Sequence, residues 1–211
     1  MSSVLVYSLI GAAVAAAGLA ALLRLQRHAG AARPAAAHKT TVRMVRSAVI
    51  AAIYVVLCLV LAPISYGAVQ VRAAEMLCLL PVFGPEYIAG VTLGCFLANL
   101  LGVSMGTTVA VDVVFGTLAT LLACVCTWLL RRVRLRGLAL VPSLPPVVFN
   151  AVIIGLEISF FFSSGAATLP VVLFNMLTVG IGEVISCCIL GVLLVRLIES
   201  QPRLRALFVK E

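Results

Sequence analysis

The sequence predicts an all-α integral membrane protein: six transmembrane helices in one bundle, preceded by one additional N-terminal transmembrane helix. Three observations lead there. Hydrophobic residues make up 64% of the 211 positions and charged residues only 10%, whereas soluble domains carry about 25% charged residues; mean hydropathy is +1.24. Apolar stretches of roughly 17–25 residues, the length a helix needs to cross a bilayer, recur along the chain. The fifteen Lys and Arg residues gather between those stretches instead of lining an amphipathic or RNA-binding face. Despite a net charge of +8, they therefore read as a topology signal, with a lipid bilayer and not nucleic acid as the partner.

The stretches fall at about 4–23, 45–62, 86–101, 109–130, 145–162 and 169–195. The first is Ala-rich, has no basic residue before it and a strong basic cluster after it, so it reads as a spare span with its N-terminus outside and not as a cleaved signal peptide. Residues 24–43, rich in Ala, Arg and His with Pro34, read as a basic flexible linker; a start at Met44 would leave a complete six-helix unit over 44–198. Two loops, 24–46 with Arg24, Arg27, Arg33, Lys39, Arg43 and Arg46, and 131–136 with Arg131, Arg132, Arg134 and Arg136, should be cytoplasmic.

An even number of spans must separate those two loops, yet only three strong stretches lie between them. The weaker stretch at about 68–83, holding Arg72, Glu75 and Pro81, is therefore expected to cross as well, as a short helix facing a cavity. The outer loops then fall near 63–70, 102–108 and 163–168. Residues 199–211 form a cytoplasmic basic tail. Pro85 and Glu86 suit the first turn of the next helix, where Pro needs no donor and Glu favours the positive end of the dipole.

Only seven residues are acidic, and four of them, Glu75, Asp112, Glu157 and Glu183, lie in or at the lip of apolar runs. An ionisable group at membrane depth is expensive unless it meets a partner, a cavity or water, so each is a candidate for function. Arg72 and Glu75 are three apart, on one helical face where they could pair, with Gln70 nearby. Asp112 falls in the early turns of its helix, where the dipole alone would favour it; Asn99 is at the outer end of its own. Asn150 and Glu157 lie two turns apart on nearly one face, with Gly155 beside them, and Glu183 is flanked by Gly180 and Gly182. The small residues Ala48 and Ala52 serve either ordinary helix packing or the docking of a partner helix.

Catalysis and metal binding find no support. The histidines, His28 and His38, lie in the linker; the seven cysteines (Cys58, Cys78, Cys95, Cys124, Cys126, Cys187, Cys188) lack zinc-site spacing and read as small buried apolar residues. No nucleophile has an adjacent base and no phosphate-binding loop is present. The expectation is a non-enzyme without cofactor or metal, and any ATP hydrolysis would belong to another chain.

Several runs together resemble the QueT family, the substrate-binding S-components of energy-coupling factor (ECF) transporters for queuosine precursors. They are Ala62-Pro63-Ile64-Ser65-Tyr66-Gly67, Gln70-Val71-Arg72-Ala73-Ala74-Glu75, Gly94 through Gly102, Asp112 through Thr120, Pro145 through Asn150, Gly155-Leu156-Glu157 and Val179-Gly180-Ile181-Gly182-Glu183. The resemblance covers about residues 44–198. It implies a six-helix ECF S-component bundle that captures its ligand from outside, in the bacterial cell membrane, and works with a transmembrane coupling protein and two cytoplasmic ATPases. It also implies that Ala48 and Ala52 form the contact for the coupling protein. The N-terminal helix with its linker and the longer polar stretch at 103–108 depart from the family pattern.

The residue chemistry agrees with a 7-deazaguanine. Its ring N–H and exocyclic amine suit one carboxylate in a bidentate contact, an aminomethyl arm wants a second, and its carbonyl wants a donor. Glu183 or Glu157 is expected on the guanine-like edge, Asp112 or Glu75 on the amine, and Asn150 or Arg72 on the carbonyl. An autonomous carrier, or an S-component for another polar heterocycle or vitamin, is the alternative.

Overall fold

The computed structural model describes residues 35–61, 71–162 and 167–208. Helix α1 (Ala35–Val60) leads to a 3-10 helix (Ala73–Val82), then α2 (Glu86–Ser104), α3 (Ala110–Leu129), α4 (Leu144–Phe161), α5 (Leu169–Glu183), a π-helical segment (Val184–Gly191), α6 (Val192–Ser200) and the short α7 (Pro202–Phe208). Among the described residues there are no strands, apart from an isolated bridge between Leu135 and Leu138. Five helical stretches are long and apolar enough to cross a membrane: Thr40–Val60, Glu86–Ser104, Ala110–Leu129, Leu144–Phe161 and Leu169–Ser200, the last including the π segment. The protein is an all-helical, multi-pass membrane protein.

Sequence and structure differ over two elements. The first helix begins at Ala35, so residues 35–43, expected in a flexible linker, are helical. The stretch expected to span over 68–83 is a ten-residue 3-10 helix, which at about 2.0 Å per residue is some 20 Å long, short of a hydrocarbon core of about 30 Å. It is packed in the core, with Ala74, Glu75 and Leu77–Val82 all buried. The expected N-terminal span at 4–23, Gln70 and most of the loops at 63–70 and 163–168 lie outside the described residues.

Apolar side chains from five helical elements meet in the centre. Tyr54 of α1, Leu77, Cys78 and Leu80 of the 3-10 helix, Tyr87, Val91 and Cys95 of α2, Leu121 and Cys124 of α3 and Ile198 of α6 belong to one buried cluster. Where α4 crosses α5 the backbones nearly touch. A Cβ placed on Gly155 would lie 2.7 to 2.9 Å from Met176 Cγ, Cα and N, so only glycine permits this approach.

The two ends of the bundle differ in chemistry. At one end Arg46 pairs with Glu86 at 4.0 Å, the Ser47 hydroxyl donates to the Glu86 carbonyl at 2.7 Å, and Arg134 pairs with Glu199 at 2.8 Å. The loop carrying the four arginines turns tightly there, with Arg136 and Gly137 at positive φ of 51° and 78°. Part of the expected tail is folded against this end: Phe208 of α7 stacks on Tyr87 with ring centres 5.8 Å apart, and the Tyr87 hydroxyl donates to the Phe208 carbonyl at 3.1 Å. The opposite end carries the polar pocket.

Candidate functional site

The pocket forms where the loop between α2 and α3 meets the end of α4. It encloses about 230 Å³ and is lined by Arg72, Gly106, Thr107, Thr108, Val109, Asp112, Ile154, Ile158 and Phe162. One wall is polar and charged, the other is the apolar face of α4, the mixture expected of a small-molecule site.

Local sequence holds the polar wall in place. Asp112 is the third residue of α3 and accepts a hydrogen bond from the Val109 N–H at 3.2 Å, which satisfies an otherwise unpaired amide of the first turn and suits the helix dipole. Asn99 braces the same turn from α2. Its amide nitrogen donates to the Asp112 carbonyl at 3.0 Å, and its own carbonyl accepts the Thr108 hydroxyl at 3.1 Å. Gly116, one turn into α3, leaves room for this: a Cβ there would sit 2.8 Å from the Asn99 amide and 3.8 Å from the Arg72 guanidinium.

Glu157 adjoins the pocket between Ile154 and Ile158. It is 2% exposed, and neither carboxylate oxygen has a hydrogen-bond partner. The charged groups acting on it are the Asp112 carboxylate and the Arg72 guanidinium. A carboxyl so placed can bond the Asp112 carboxyl beside it only by sharing a proton, and a buried carboxylate left without any partner is among the most costly arrangements in a protein.

The other two acids are placed differently. Glu75, 1% exposed, accepts from the Tyr54 hydroxyl and from the Cys78 thiol at 2.8 Å. The Thr120 hydroxyl lies 3.5 Å from the same carboxylate and 3.2 Å from Cys95 Sγ. Glu183, 3% exposed, ends α5 and accepts from the Cys187 thiol at 3.4 Å, while Cys187 also lies 3.3 Å from the Glu75 carbonyl. Glu75 and Glu183 thus form a second polar cluster, inside the core, joined through Cys187.

This grouping differs from the one the sequence suggests. Glu75 bonds Tyr54 and Cys78 and lies with Glu183, while Arg72, the residue before the 3-10 helix, lines the pocket. Glu157 sides with Asp112. Asn150, 4% exposed, donates to the Pro146 carbonyl of its own helix at 3.1 Å and does not line the pocket.

Sequence reasoning missed the partners: Tyr54, Cys78, Thr120 and Cys187. A signal was present in the spacings Glu75-x-x-Cys78 and Glu183-x-x-x-Cys187, which put a weak S–H donor on the same helical face as each acid. Thr107 and Thr108 were visible only as part of a longer polar stretch. Among the described residues, no group of three His, Cys, Asp or Glu could hold a metal ion.

Fold and site together define a multi-pass helical membrane protein with a charged small-molecule pocket at one end of its bundle. A model of the QueT transporter family matches residues 44–200, and the chain belongs to that family. It is similar to the queuosine precursor transporter QueT of Lactococcus lactis subsp. cremoris (strain MG1363), with 41% identity over 83 residues. That match covers 38% of this chain and 46% of the relative, so it spans about half the relative's length. No solved structure matches the chain.

Proposed function

We propose that this chain is the membrane-embedded substrate-binding subunit of an ATP-driven ECF importer, capturing a queuosine precursor of the 7-deazaguanine type from outside. The observation that carries the reading is the pocket itself: Arg72 and Asp112 in its wall, the donorless Glu157 against it, in a member of the QueT transporter family. A 7-deazaguanine brings several N–H donors and one carbonyl acceptor. Two carboxylates and one guanidinium are the complementary set.

In this reading the arginine-bearing end is cytoplasmic, as the excess of basic residues favours, and the pocket opens outside. Residues 44–198 are the six-span unit, the 3-10 helix with its preceding segment replacing one full span. Residues 1–23 add a further span with its N-terminus outside, residues 24–34 link it to α1, and residues 199–211 stay in the cytoplasm. Arg72, Asp112 and Glu157 contact the ligand, with Gln70 from the segment just before Arg72. Asn99 fixes the turn that presents Asp112. Glu75, Glu183 and Asn150 support the surrounding helices.

The transmembrane coupling protein docks on α1, and two ATPases act beneath it. Ala48 and Ala52 are exposed on α1, on the most open of the five long apolar helices, and small side chains leave a flat surface for a partner helix. The decisive experiment has two arms. Mass spectrometry of the purified protein should find a copurifying 7-deazaguanine, and proteoliposomes should take it up only when coupling protein, ATPases and ATP are present. Failure of the purified chain to bind any 7-deazaguanine would sink the proposal, and uptake in cells lacking every coupling protein and ATPase would favour an autonomous carrier.

A further inference from the structure

We infer that the turn between α3 and α4 is a binding surface for anionic phospholipid headgroups, with Arg132 and Arg136 as the residues that contact the phosphates. This surface lies at the arginine-bearing end of the bundle and is independent of what the pocket at the other end binds.

The helix before it brings the turn to the depth of the headgroups. Helix α3 is long and apolar enough to cross the membrane over Ala110–Leu129, so Trp128 stands in its last turn, at the boundary between hydrocarbon and water where indole rings concentrate. Arg131 closes this end of the helix. Its Nη1 donates to the Trp128 carbonyl at 2.8 Å, and its guanidinium lies 4.4 Å from the centre of the Trp128 ring. The chain then reverses sharply: Leu135 and Leu138 exchange two backbone hydrogen bonds of 3.0 Å around Arg136 and Gly137, both at positive φ. Such two-residue hairpin turns favour Asn or Gly at both central positions. An arginine at the first of them is conformationally costly, and it sets a cation at the tip.

Residues 131–136 read Arg-Arg-Val-Arg-Leu-Arg, four cations without an acid. Glu199 takes Arg134 and Trp128 takes Arg131. That leaves Arg132 and Arg136, both exposed, with no acid paired to either among the described residues. Between them Val133 is 46% and Leu135 54% exposed. A guanidinium fork matches phosphate oxygens, while the apolar side chains beside it suit the upper acyl chains. A soluble polyanion offers the first contact and not the second. A zwitterionic headgroup sets its own ammonium beside the phosphate, so the net-negative lipid gains most from a cluster of arginines at the leaflet surface.

Trp128 is the chain's one tryptophan, and it reports on the lipids beside this turn. The full chain is reconstituted in phosphatidylcholine vesicles in which a fraction of the lipid is brominated phosphatidylglycerol or, in a parallel set, brominated phosphatidylcholine, and quenching of its fluorescence gives the relative occupancy of the two. Wild type should prefer phosphatidylglycerol at least about fivefold, the factor that one arginine supplies at an anionic surface, and about 1 M salt should abolish the preference. Arg132→Gln with Arg136→Asn, the second chosen because Asn suits the turn, should cut the preference at least about threefold. The charge-matched pair Arg203→Gln and Arg205→Gln in α7 should leave it within about twofold of wild type. Should the double turn variant fail to fold, Arg132→Gln alone, at an exposed position outside the hairpin tip, decides the matter. Equal quenching by the two lipids in wild type overturns the inference and leaves the turn to a soluble acidic partner. Equal losses in the turn and α7 variants overturn it too, since the preference would then belong to the net charge of this end and not to the turn.

Discussion

The same substitution at two buried glutamates should change stability in opposite directions. Glu157 is buried with no donor to either oxygen, so in the empty protein it carries desolvation without compensation. Replacing it by methionine, of similar length and apolar, removes that penalty; an unsatisfied buried polar group costs about 1–3 kcal/mol, more when charged. Glu75 is equally buried, but methionine there strands the Tyr54 hydroxyl and the Cys78 thiol, a loss of about 2–5 kcal/mol from two orphaned donors. With about 2–4 °C of Tm per kcal/mol for a chain of this size, Glu157→Met should raise Tm by about 2–12 °C and Glu75→Met should lower it by about 4 °C or more. Thermal unfolding in detergent without ligand, followed by intrinsic fluorescence, reads both. A fall in Tm for Glu157→Met, or a rise for Glu75→Met, refutes the contrast between a hydrogen-bonded Glu75 and a donorless Glu157. The stabilised Glu157→Met variant should also lose ligand binding, which separates a functional acid from a misplaced one.

Three further outcomes follow from the packing. Gly155→Ala puts a methyl 2.7 to 2.9 Å from Met176, where carbon contacts settle at about 3.5–4.0 Å; α5 must back away, and overpacking of about 1–3 kcal/mol should appear as a lower unfolding temperature. Ala48→Trp and Ala52→Trp, on exposed positions of α1, should leave ligand affinity within about twofold by titration yet reduce copurification of the coupling protein at least about tenfold, since small-residue packing is what a bulky ring destroys. Phe208→Ala removes the ring stacked on Tyr87 and set 6.3 Å from Phe83, so hydrogen exchange over 202–208 should speed up while exchange in α3 stays unchanged.

Most of the architecture was legible in the residues because length and apolarity are the signals a bilayer demands. The helices at 86–104, 110–129 and 144–161 begin and end within a few residues of the apolar stretches at 86–101, 109–130 and 145–162. The 3-10 helix was not legible, since nothing in Ala73–Val82 separates a tight helix from an α-helix when Pro81 and two charges already make the segment atypical. Leu77, Cys78 and Leu80 of this helix are packed into the core. The candidate acids were visible because charge stands out in hydrocarbon, but their pairing was not. Helical spacing predicted Arg72 with Glu75 and Glu157 with Asn150, and both pairings gave way to contacts between elements far apart in sequence: Tyr54 with Glu75, Asp112 with Glu157.

The helical stretch Leu169–Ser200 runs for 32 residues, about 48 Å at ordinary helical rise, against a hydrocarbon core of about 30 Å. Tilt alone cannot absorb the excess, because fitting that length inside the core would need an inclination of about 50°, beyond the range of up to about 40° that membrane helices adopt. A good part of α6 must therefore stand clear of the lipid. That lets Glu199, near its tip, pair with Arg134 where both side chains are partly exposed, while Val192, Val195 and Ile198 of the same helix stay buried against the bundle.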